Sequence, residues 1–174
     1  MEKKVIRRFG RKTASELAQD STDKLTYQLK RNSDESIGLR VEEFEGKGRG
    51  VVSTRDRLIG EFIVEYAGDL KNKETAEESE NFYCMDITKG CYMFHFKKNE
   101  IQYCVDATAE TGRMGRLINH SMQSPNLQPK VVMLGGTPRL ILVSNKKIAI
   151  GEELLFDYGD RNKEHIKMFP WLAM

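Results

Sequence analysis

Apolar residues follow a helical spacing in the first part of the chain. The pattern repeats every four positions, at Leu17, Ser21, Leu25 and Leu29. Thr13 followed by Glu16 matches a capping box, in which a hydroxyl and a carboxylate accept from free N–H groups at the start of a helix. The spacing therefore predicts an amphipathic helix that ends at about Arg31. We expect this helix to flank the domain that follows it.

From residue 37 the apolar spacing falls to two, which is the period of a β-strand. Ile37, Leu39 and Val41 alternate with polar residues, and this alternation predicts a half-buried strand. Further short apolar segments predict strands at residues 62–66, 91–96, 101–105, 131–134 and 139–143.

The segments between these strands favour turns and short helices. Residues 97–100 are predicted to close a hairpin, and Gly135–Gly136 a second turn. The acidic stretch 72–84 is interpreted as a helical or loop insert, and residues 110–117 as a short helix. Many short strands with few long helices predict a fold that is mainly β with short helices, of the α+β class.

Composition indicates a single globular domain without a membrane span. The chain has 174 residues, of which 39% are hydrophobic and 31% charged, which is typical of globular proteins. No apolar run approaches the roughly 20 residues that a spanning helix needs, and the basic start has no apolar stretch behind it to form a secretory signal. Cys84, Cys91 and Cys104 include no Cys-x-x-Cys pair, which argues against a zinc site or a disulfide framework, so no metal is expected.

Two polar stretches are candidates for chemistry. Gly115–Ser121 places Asn119-His120-Ser121 directly behind an apolar pair. Such a cluster suits a buried loop that grips a polar ligand, although an ordinary turn would have the same composition. The second stretch, Gly151–Asp160, reads Gly-Glu-Glu-Leu-Leu-Phe-Asp-Tyr-Gly-Asp.

These two stretches, in this order, resemble the signature of the SET-domain lysine methyltransferases. Four further motifs match the family in its order: Gly46–Gly50, Glu65–Asp69, Gly90–Met93 and Tyr103–Thr108. The similarity is greatest to enzymes of the PR/SET type that monomethylate lysine twenty of histone H4. It implies a SET fold of small sheets in which residues 151–160 thread beneath the loop that holds Asn119 and His120.

The resemblance also implies that the chain is divided into three parts. Residues 1–35 would form a basic arm and the N-terminal flanking helix, residues 36–160 the SET domain, and residues 161–174 a C-terminal flanking segment. The family uses S-adenosylmethionine, so we expect this cofactor and no metal.

Methyl transfer to lysine requires a neutral amine in line with the donor at near-attack distance. Because a free lysine has a pKa of about 10.4, an apolar aromatic channel is needed to disfavour its charged form. The resemblance assigns Tyr158 as the central catalytic tyrosine, with Tyr66 also catalytic. Tyr66 and Tyr92 are assigned to orient the lysine, and Phe156 and Asp157 to contact the substrate. It further implies cofactor contacts from Lys47, Gly48, Arg49, Tyr92, Asn119, His120 and, over the adenine, Trp171.

Phe156 departs from the pattern of the H4 monomethylating enzymes, which have tyrosine at this position. In SET enzymes that tyrosine helps to hold a water in the space of an extra methyl group. Its replacement by phenylalanine puts strict monomethylation in doubt.

The resemblance implies a nuclear, chromosomal enzyme that acts as a monomer on the H4 tail in nucleosomes, with roles in chromatin compaction, transcription and the cell cycle. Two alternatives stay open, a methyltransferase of another basic tail and a catalytically weak nucleosome-binding scaffold. The arm carries six basic residues against Glu2 within positions 1–12. It is either a solvated tail or a contact to DNA phosphates or the acidic patch of the histone core.

Overall fold

A computed structural model describes residues 13–31, 33–34, 37–84, 92–161, 163–168 and 170–173 of the chain. The chain divides into two compact units, Met1–Asn32 and Ser33–Met174. The boundaries predicted for the arm, the SET domain and the C-terminal segment stay a prediction.

The first unit contains the predicted helix. Helix α1 spans Ala14–Arg31. Glu16 donates its N–H to the Thr13 hydroxyl over 3.2 Å, and the Thr13 N–H donates to the Glu16 carboxylate over 2.7 Å. This reciprocal pair is the capping box expected from the sequence, so both the helix and its start are confirmed.

The second unit is built mainly from short strands. Its described strands are β1 Leu39–Phe44, β2 Gly48–Ser53, β3 Phe62–Glu65, β4 Asp69–Asn72, β5 Met93–Lys98, β6 Ile101–Asp106, β7 Asn119–His120, β8 Leu127–Leu134, β9 Thr137–Ser144 and β10 Leu155–Phe156. Its described helices are α2 Lys73–Cys84 and α3 Lys163–Met168, with 3-10 turns at Gly115–Leu117 and Pro170–Ala173. The prediction of a mainly β fold with short helices is confirmed.

The strands form three small sheets. β1 and β2 form a hairpin, β4-β6-β5 form a three-stranded sheet, and the order β3-β9-β8-β10-β7 forms a five-stranded sheet. The five-stranded sheet and neighbouring segments contribute the hydrophobic core. The largest fully buried side chains of this core include Phe156, Ile63, Ile118, Leu127, Leu140, Leu142, Ile148 and Leu154.

β10 is inserted between two strands that precede it in the chain. It pairs in parallel with β7, with Phe156 opposite His120, and also with β8, where Phe156 is opposite Leu127. The loop 121–126 that joins β7 to β8 crosses over β10, and its ends donate N–H groups to the carbonyls of Phe156 (3.2 Å) and Leu155 (3.0 Å). The threading predicted for residues 151–160 is thus present.

Two turns, one before β3 and one before β10, form equivalent hydrogen bonds, each from a glycine N–H to a serine carbonyl. Gly60 donates its N–H to the carbonyl of Ser144 over 2.8 Å, and Gly151 donates to Ser53 over 2.7 Å. Both glycines are left-handed, with φ of +80° and +82°, and both turns have the sequence Ile-Gly-Glu. This internal repeat, which our sequence analysis missed, aligns two strands that are each followed by a tyrosine of the candidate site.

Three local expectations need correction. The helix predicted over residues 110–117 is wrong, because only Gly115–Leu117 are helical and Gly112 has a φ of +75° that interrupts a helix. Val41 is 37% exposed, so the inward face predicted for β1 does not extend to it. The hairpin turn expected at 97–100 is confined to Asn99 and Glu100, both with positive φ as a tight two-residue turn requires. Position 91 lies outside the described residues.

Candidate active site

Four aromatic rings meet beside the threaded strand. The Phe156 ring, 1% exposed, lies with its centroid 4.7 Å from Tyr158, 6.2 Å from Tyr66 and 6.1 Å from Phe94. The rings are tilted or edge-on, which is the favourable geometry for aromatic pairs. We call Tyr66, Phe94, Phe156 and Tyr158 the aromatic cluster. Phe94 lies in β5 and Phe156 in β10, while Tyr66 follows the end of β3 and Tyr158 lies just beyond β10. The cluster brings together three residues that the sequence analysis assigned to the site.

Tyr158 is fixed at two points. Its hydroxyl donates to the carbonyl of Ile118 over 2.8 Å, and its N–H donates to Nδ1 of His120 over 3.1 Å. Burial, with a smaller contribution from Tyr92, raises the pKa of the Tyr158 phenol well above its ordinary value. The phenol is therefore protonated at neutral pH and remains a polar group within an aromatic surface.

The Tyr66 hydroxyl has a different main-chain acceptor from that of Tyr158. It donates to the carbonyl of Tyr92 over 3.1 Å, and the same carbonyl accepts the N–H of Ala107 over 3.0 Å. Tyr66 and Tyr92, both predicted to orient the lysine, are thus joined by a direct hydrogen bond.

Arg116 contacts the site but was assigned no role from the sequence. Its guanidinium lies 3.8 Å from the centre of the Tyr92 ring and donates to the carbonyls of Ala107 (2.6 Å) and Thr108 (3.2 Å). Arg116 is 6% exposed, and within the described part of the chain its Nη1 has no hydrogen-bond partner. A buried arginine stacked on a ring is a cation–π pair. The only sequence signal was its place inside the Gly115–Ser121 stretch.

His120 is held in one tautomer by its two ring contacts. Because Nδ1 accepts the Tyr158 N–H, the ring proton is on Nε2, which donates to the carbonyl of Leu172 over 3.0 Å. The ring centroids of His120 and Tyr158 are 4.9 Å apart. His120 therefore links the threaded strand to the 3-10 turn Pro170–Ala173.

Lys47 and Asn119 converge on one carboxylate. The Lys47 ammonium donates to Glu153 Oε2 over 2.8 Å, and the Asn119 amide donates to Glu153 Oε1 over 3.0 Å. A Cβ added to Gly50 would lie 2.6 Å from the Asn119 amide, so β2 approaches Asn119 this closely only with glycine there. Glu153 was not singled out from the sequence, because carboxylates are usually exposed and the contact spans distant parts of the chain.

The other predicted site residues lie outside the aromatic cluster. Arg49 forms an exposed ion pair with Glu110. Asp157 forms an ion pair with Arg161, whose hydrogen bond lowers the pKa of the Asp157 carboxyl. The backbone of Trp171 lies in the 3-10 turn Pro170–Ala173, but its side chain falls outside the described residues. Its predicted contact with adenine stays a prediction.

The residues present fit S-adenosylmethionine, whose amino acid and ribose groups need polar partners and whose sulfonium suits aromatic faces. Lys47, Asn119 and Arg116 carry donor groups here; the first two bind Glu153, and Nη1 of Arg116 makes no hydrogen bond among the described residues and lies 3.8 Å from the Glu110 carboxylate.

Within the described ranges, no three His, Cys, Asp or Glu side chains are grouped to hold a metal ion. In the same part of the chain, no helix is long and apolar enough to span a membrane.

The family model for the SET domain matches residues 48–159, which include the aromatic cluster, the stretch Gly115–Ser121 and all but the last residue of Gly151–Asp160. The chain belongs to the SET-domain family. Relatives of this SET domain include N-lysine methyltransferase KMT5A-A of Xenopus laevis, 44% identical over 96% of this chain and 49% of the relative. Histone-lysine N-methyltransferase Set8 of Drosophila melanogaster is 52% identical over 78% of this chain and 20% of the relative.

A solved SET-domain structure, CpSET8 from Cryptosporidium, superposes with a TM-score of 0.66 at 44% identity, covering 71% of this chain and 58% of that one. The chain spans about half the length of the Xenopus relative. The resemblance inferred from the sequence is confirmed at the level of the family, while the roles of the individual site residues stay predictions.

Proposed function

We propose that this protein is an S-adenosylmethionine-dependent protein-lysine N-methyltransferase that acts on lysine twenty of histone H4 in nucleosomes, with monomethyl lysine as its main product. The observation that carries the proposal is the aromatic cluster with the Tyr158 hydroxyl held by Ile118 at 2.8 Å. The names of the SET-domain relatives, N-lysine and histone-lysine methyltransferases, support the reaction.

The aromatic cluster selects the neutral form of the substrate amine. Phe156 is almost completely buried and Tyr66 is 7% exposed, so a lysine side chain that packs against this cluster loses most of its hydration. Loss of hydration disfavours the ammonium form and lowers the pKa of the lysine. The ring faces hold the alkyl stem, and they also attract the methylated cation that forms.

The polar groups orient the reactants. Tyr158 offers a protonated phenol whose direction is set by Ile118, and the Tyr66 hydroxyl is held by the carbonyl of Tyr92. When bound, S-adenosylmethionine supplies a methyl group on a positively charged sulfur. Lys47, Gly48, Arg49, Tyr92, Asn119, His120 and Trp171 are the residues proposed to hold it.

Phe156 bears on the number of methyl groups transferred. Its ring contacts Tyr66 and Tyr158 and has no hydroxyl with which to hold a water. We therefore propose that monomethylation dominates without being strict. The proposed partner is the H4 tail in nucleosomes, with DNA or acidic-patch contacts from the basic arm, and the proposed location is nuclear chromatin.

Mass spectrometry of recombinant nucleosomes after incubation with the protein and S-adenosylmethionine tests this proposal. We expect a mass increase of one methyl group on H4 at lysine twenty, and none in nucleosomes with arginine at that position. A methyl group on another histone lysine would indicate a methyltransferase of a different basic tail. Tight nucleosome binding without any methyl transfer would indicate a scaffold.

A further inference from the structure

A buried carboxylate outside the matched SET region contacts the chain next to the active site. Asp34 is 6% exposed and lies upstream of residues 48–159. Its Oδ2 accepts the N–H of Met114 over 2.6 Å, and its Oδ1 accepts Nε of Arg113 over 2.9 Å. Hydrogen bonds to an ionised carboxylate are shorter and stronger than those between neutral groups.

Met114 begins the short 3-10 turn that ends at Ile118, whose carbonyl accepts the hydroxyl of the candidate catalytic tyrosine. Met114 accepts the N–H of Leu117 over 2.9 Å, and Gly115 accepts that of Ile118 over 3.4 Å. The carbonyl of Ile118 then accepts the Tyr158 hydroxyl over 2.8 Å. A displacement at Met114 is therefore transmitted through one 3-10 turn to the acceptor that orients the phenol.

The turn is also held from its other side. A Cβ added to Gly115 would lie 2.3 Å from the carbonyl oxygen of Glu65, so the turn packs directly on the end of β3. The Glu65 carboxylate binds Arg113 (3.1 Å) and Arg139 (3.0 Å), which completes a network of two buried acids and two partly buried arginines. Within this network, Asp34 is the member that binds the backbone of the turn.

We propose that Asp34 is a positioning residue for methyl transfer. By fixing the Met114 N–H, it sets the position of the Ile118 carbonyl and hence the direction of the Tyr158 hydroxyl. The inference rests on the proposed methyltransferase function. It extends the functional part of the chain upstream of the SET-domain match.

Steady-state kinetics with an H4-tail peptide test the proposal on the full chain. We expect Asp34→Ala to lower kcat on the order of ten- to a hundredfold, as a misplaced catalytic group does. The KM for peptide and the Kd for S-adenosylmethionine should change less than about threefold, because no substrate contact is lost. Asp34→Asn keeps an oxygen that can accept the Met114 N–H and should recover most of the kcat.

Arg139→Gln is the matched control, because it breaks the same buried network at Glu65 without touching the turn. Both variants are expected to lower Tm, whereas only Asp34→Ala should lower kcat. An equal loss of kcat in Arg139→Gln would show that Asp34 is merely structural.

A spectroscopic measurement separates this inference from the proposed function. In protein labelled with ¹³C at tyrosine Cζ, the Tyr158 resonance can be assigned with Tyr158→Phe. We expect this resonance to shift in Asp34→Ala and Asp34→Asn, strongly in the first and weakly in the second, and to stay in place in Arg139→Gln. If the wild-type protein transfers no methyl group, the proposed function fails and the resonance alone decides the role of Asp34.

Two further results would overturn the inference. One is an unchanged Tyr158 resonance in Asp34→Ala, and the other is a kcat within twofold of the wild type. If Asp34→Ala does not fold, Asp34→Asn is judged by the same two measurements, with a weak shift and a small loss of kcat required for support.

Discussion

The hydroxyl of Tyr158 donates to the main-chain carbonyl of Ile118 over 2.8 Å. Ile118 directly precedes β7, and Tyr158 is the second residue after β10, which pairs with β7 in parallel. The threaded strand therefore fixes both the backbone that carries the phenol and the carbonyl that orients it. Because the two groups are held by the same pairing, the position of this hydroxyl depends on the threading.

Removal of the Tyr158 hydroxyl should affect the reaction far more than cofactor binding. We expect Tyr158→Phe to lower methyl transfer by roughly a hundredfold or more, as the loss of a preorganised polar group at a reaction centre does. Affinity for S-adenosylmethionine, measured by calorimetry, should stay within a few-fold. Tyr103→Phe is the control, since Tyr103 stacks on Phe96 away from the aromatic cluster. Near-normal turnover in Tyr158→Phe would refute the catalytic assignment.

The basic arm gives a prediction that depends on salt. We expect deletion of residues 1–12 to weaken nucleosome binding and to reduce its salt dependence, because contacts to phosphates or acidic side chains are screened by ions. Binding titrations at several salt concentrations measure this effect. A variant with glutamine at the six basic positions controls for arm length.

Activity on a free H4-tail peptide should change little when the arm is removed. Equal losses on peptide and nucleosome would mean that the arm supports folding rather than nucleosome contact.

Asp106 gives a prediction about stability and pH. Although burial raises the pKa of the Asp106 carboxyl, hydrogen bonds from Lys71, Thr108 and Tyr83 lower it to a net value below the ordinary one. The Asp106 hydrogen bond in turn raises the pKa of Lys71. Asp106 therefore contributes its full share of the free energy of unfolding above its unfolded pKa of about 3.9, and this share is lost as pH falls through its lower folded pKa. Lys71 contributes its full share below its unfolded pKa of about 10.4, and this share is lost as pH rises through its higher folded pKa.

Thermal unfolding of Lys71→Met tests this pair. We expect the variant to lose about 1–3 kcal/mol near neutral pH, the usual effect of a lost hydrogen bond to a buried charge. The difference from the wild type should shrink in strong acid and in strong base. Lys97→Met, which removes an exposed ion pair with Glu100, should have little effect at any pH. A constant difference across all pH values would contradict the assigned pKa shifts.

Local sequence signals predicted the local parts of the structure. Helix α1 begins at its capping box because Thr13 and Glu16 are close in sequence and satisfy each other's N–H groups. Alternation predicted β1, and short apolar segments predicted β3, β5, β6, β8 and β9, whereas β2, β4, β7 and β10 were not predicted. The three residues of the aromatic cluster that were predicted followed from the family resemblance. The helix expected at 110–117 failed because Gly112 is left-handed and Gly115 packs on a carbonyl, neither of which a helical pattern reveals.

Contacts between distant parts of the chain could not be predicted in the same way. Glu153 binds Lys47 and Asn119, and Asp34 binds Met114, although the partners are far apart in the sequence. Arg116 is buried although arginine is usually exposed, so composition argued against its role. These residues carry charge into the site, and only the three-dimensional structure identifies them.

Phe156 gives a prediction about the number of methyl groups. If a channel water limits the product, that water has lost the hydroxyl partner that a tyrosine would supply. One net hydrogen bond is worth roughly 0.5–1.5 kcal/mol, or a few-fold to about tenfold in relative rate. That is enough to weaken a preference and too little to create a dedicated trimethylating enzyme. We therefore expect mainly monomethyl lysine on nucleosomes, with dimethyl lysine on peptide at long reaction times.

Phe156→Tyr should suppress the second methylation while largely sparing the first. Because the Phe156 ring lies against both Tyr66 and Tyr158, a hydroxyl added to it enters the group of residues proposed to surround the lysine amine. Phe96→Tyr adds the same hydroxyl to a ring stacked on Tyr103 and is the matched control. Mass spectrometry of one peptide under one condition gives the mono-to-dimethyl ratio for each protein. If Phe156→Tyr leaves that ratio unchanged, the water argument fails, and the limit on methylation must be set by Tyr66 and Tyr92.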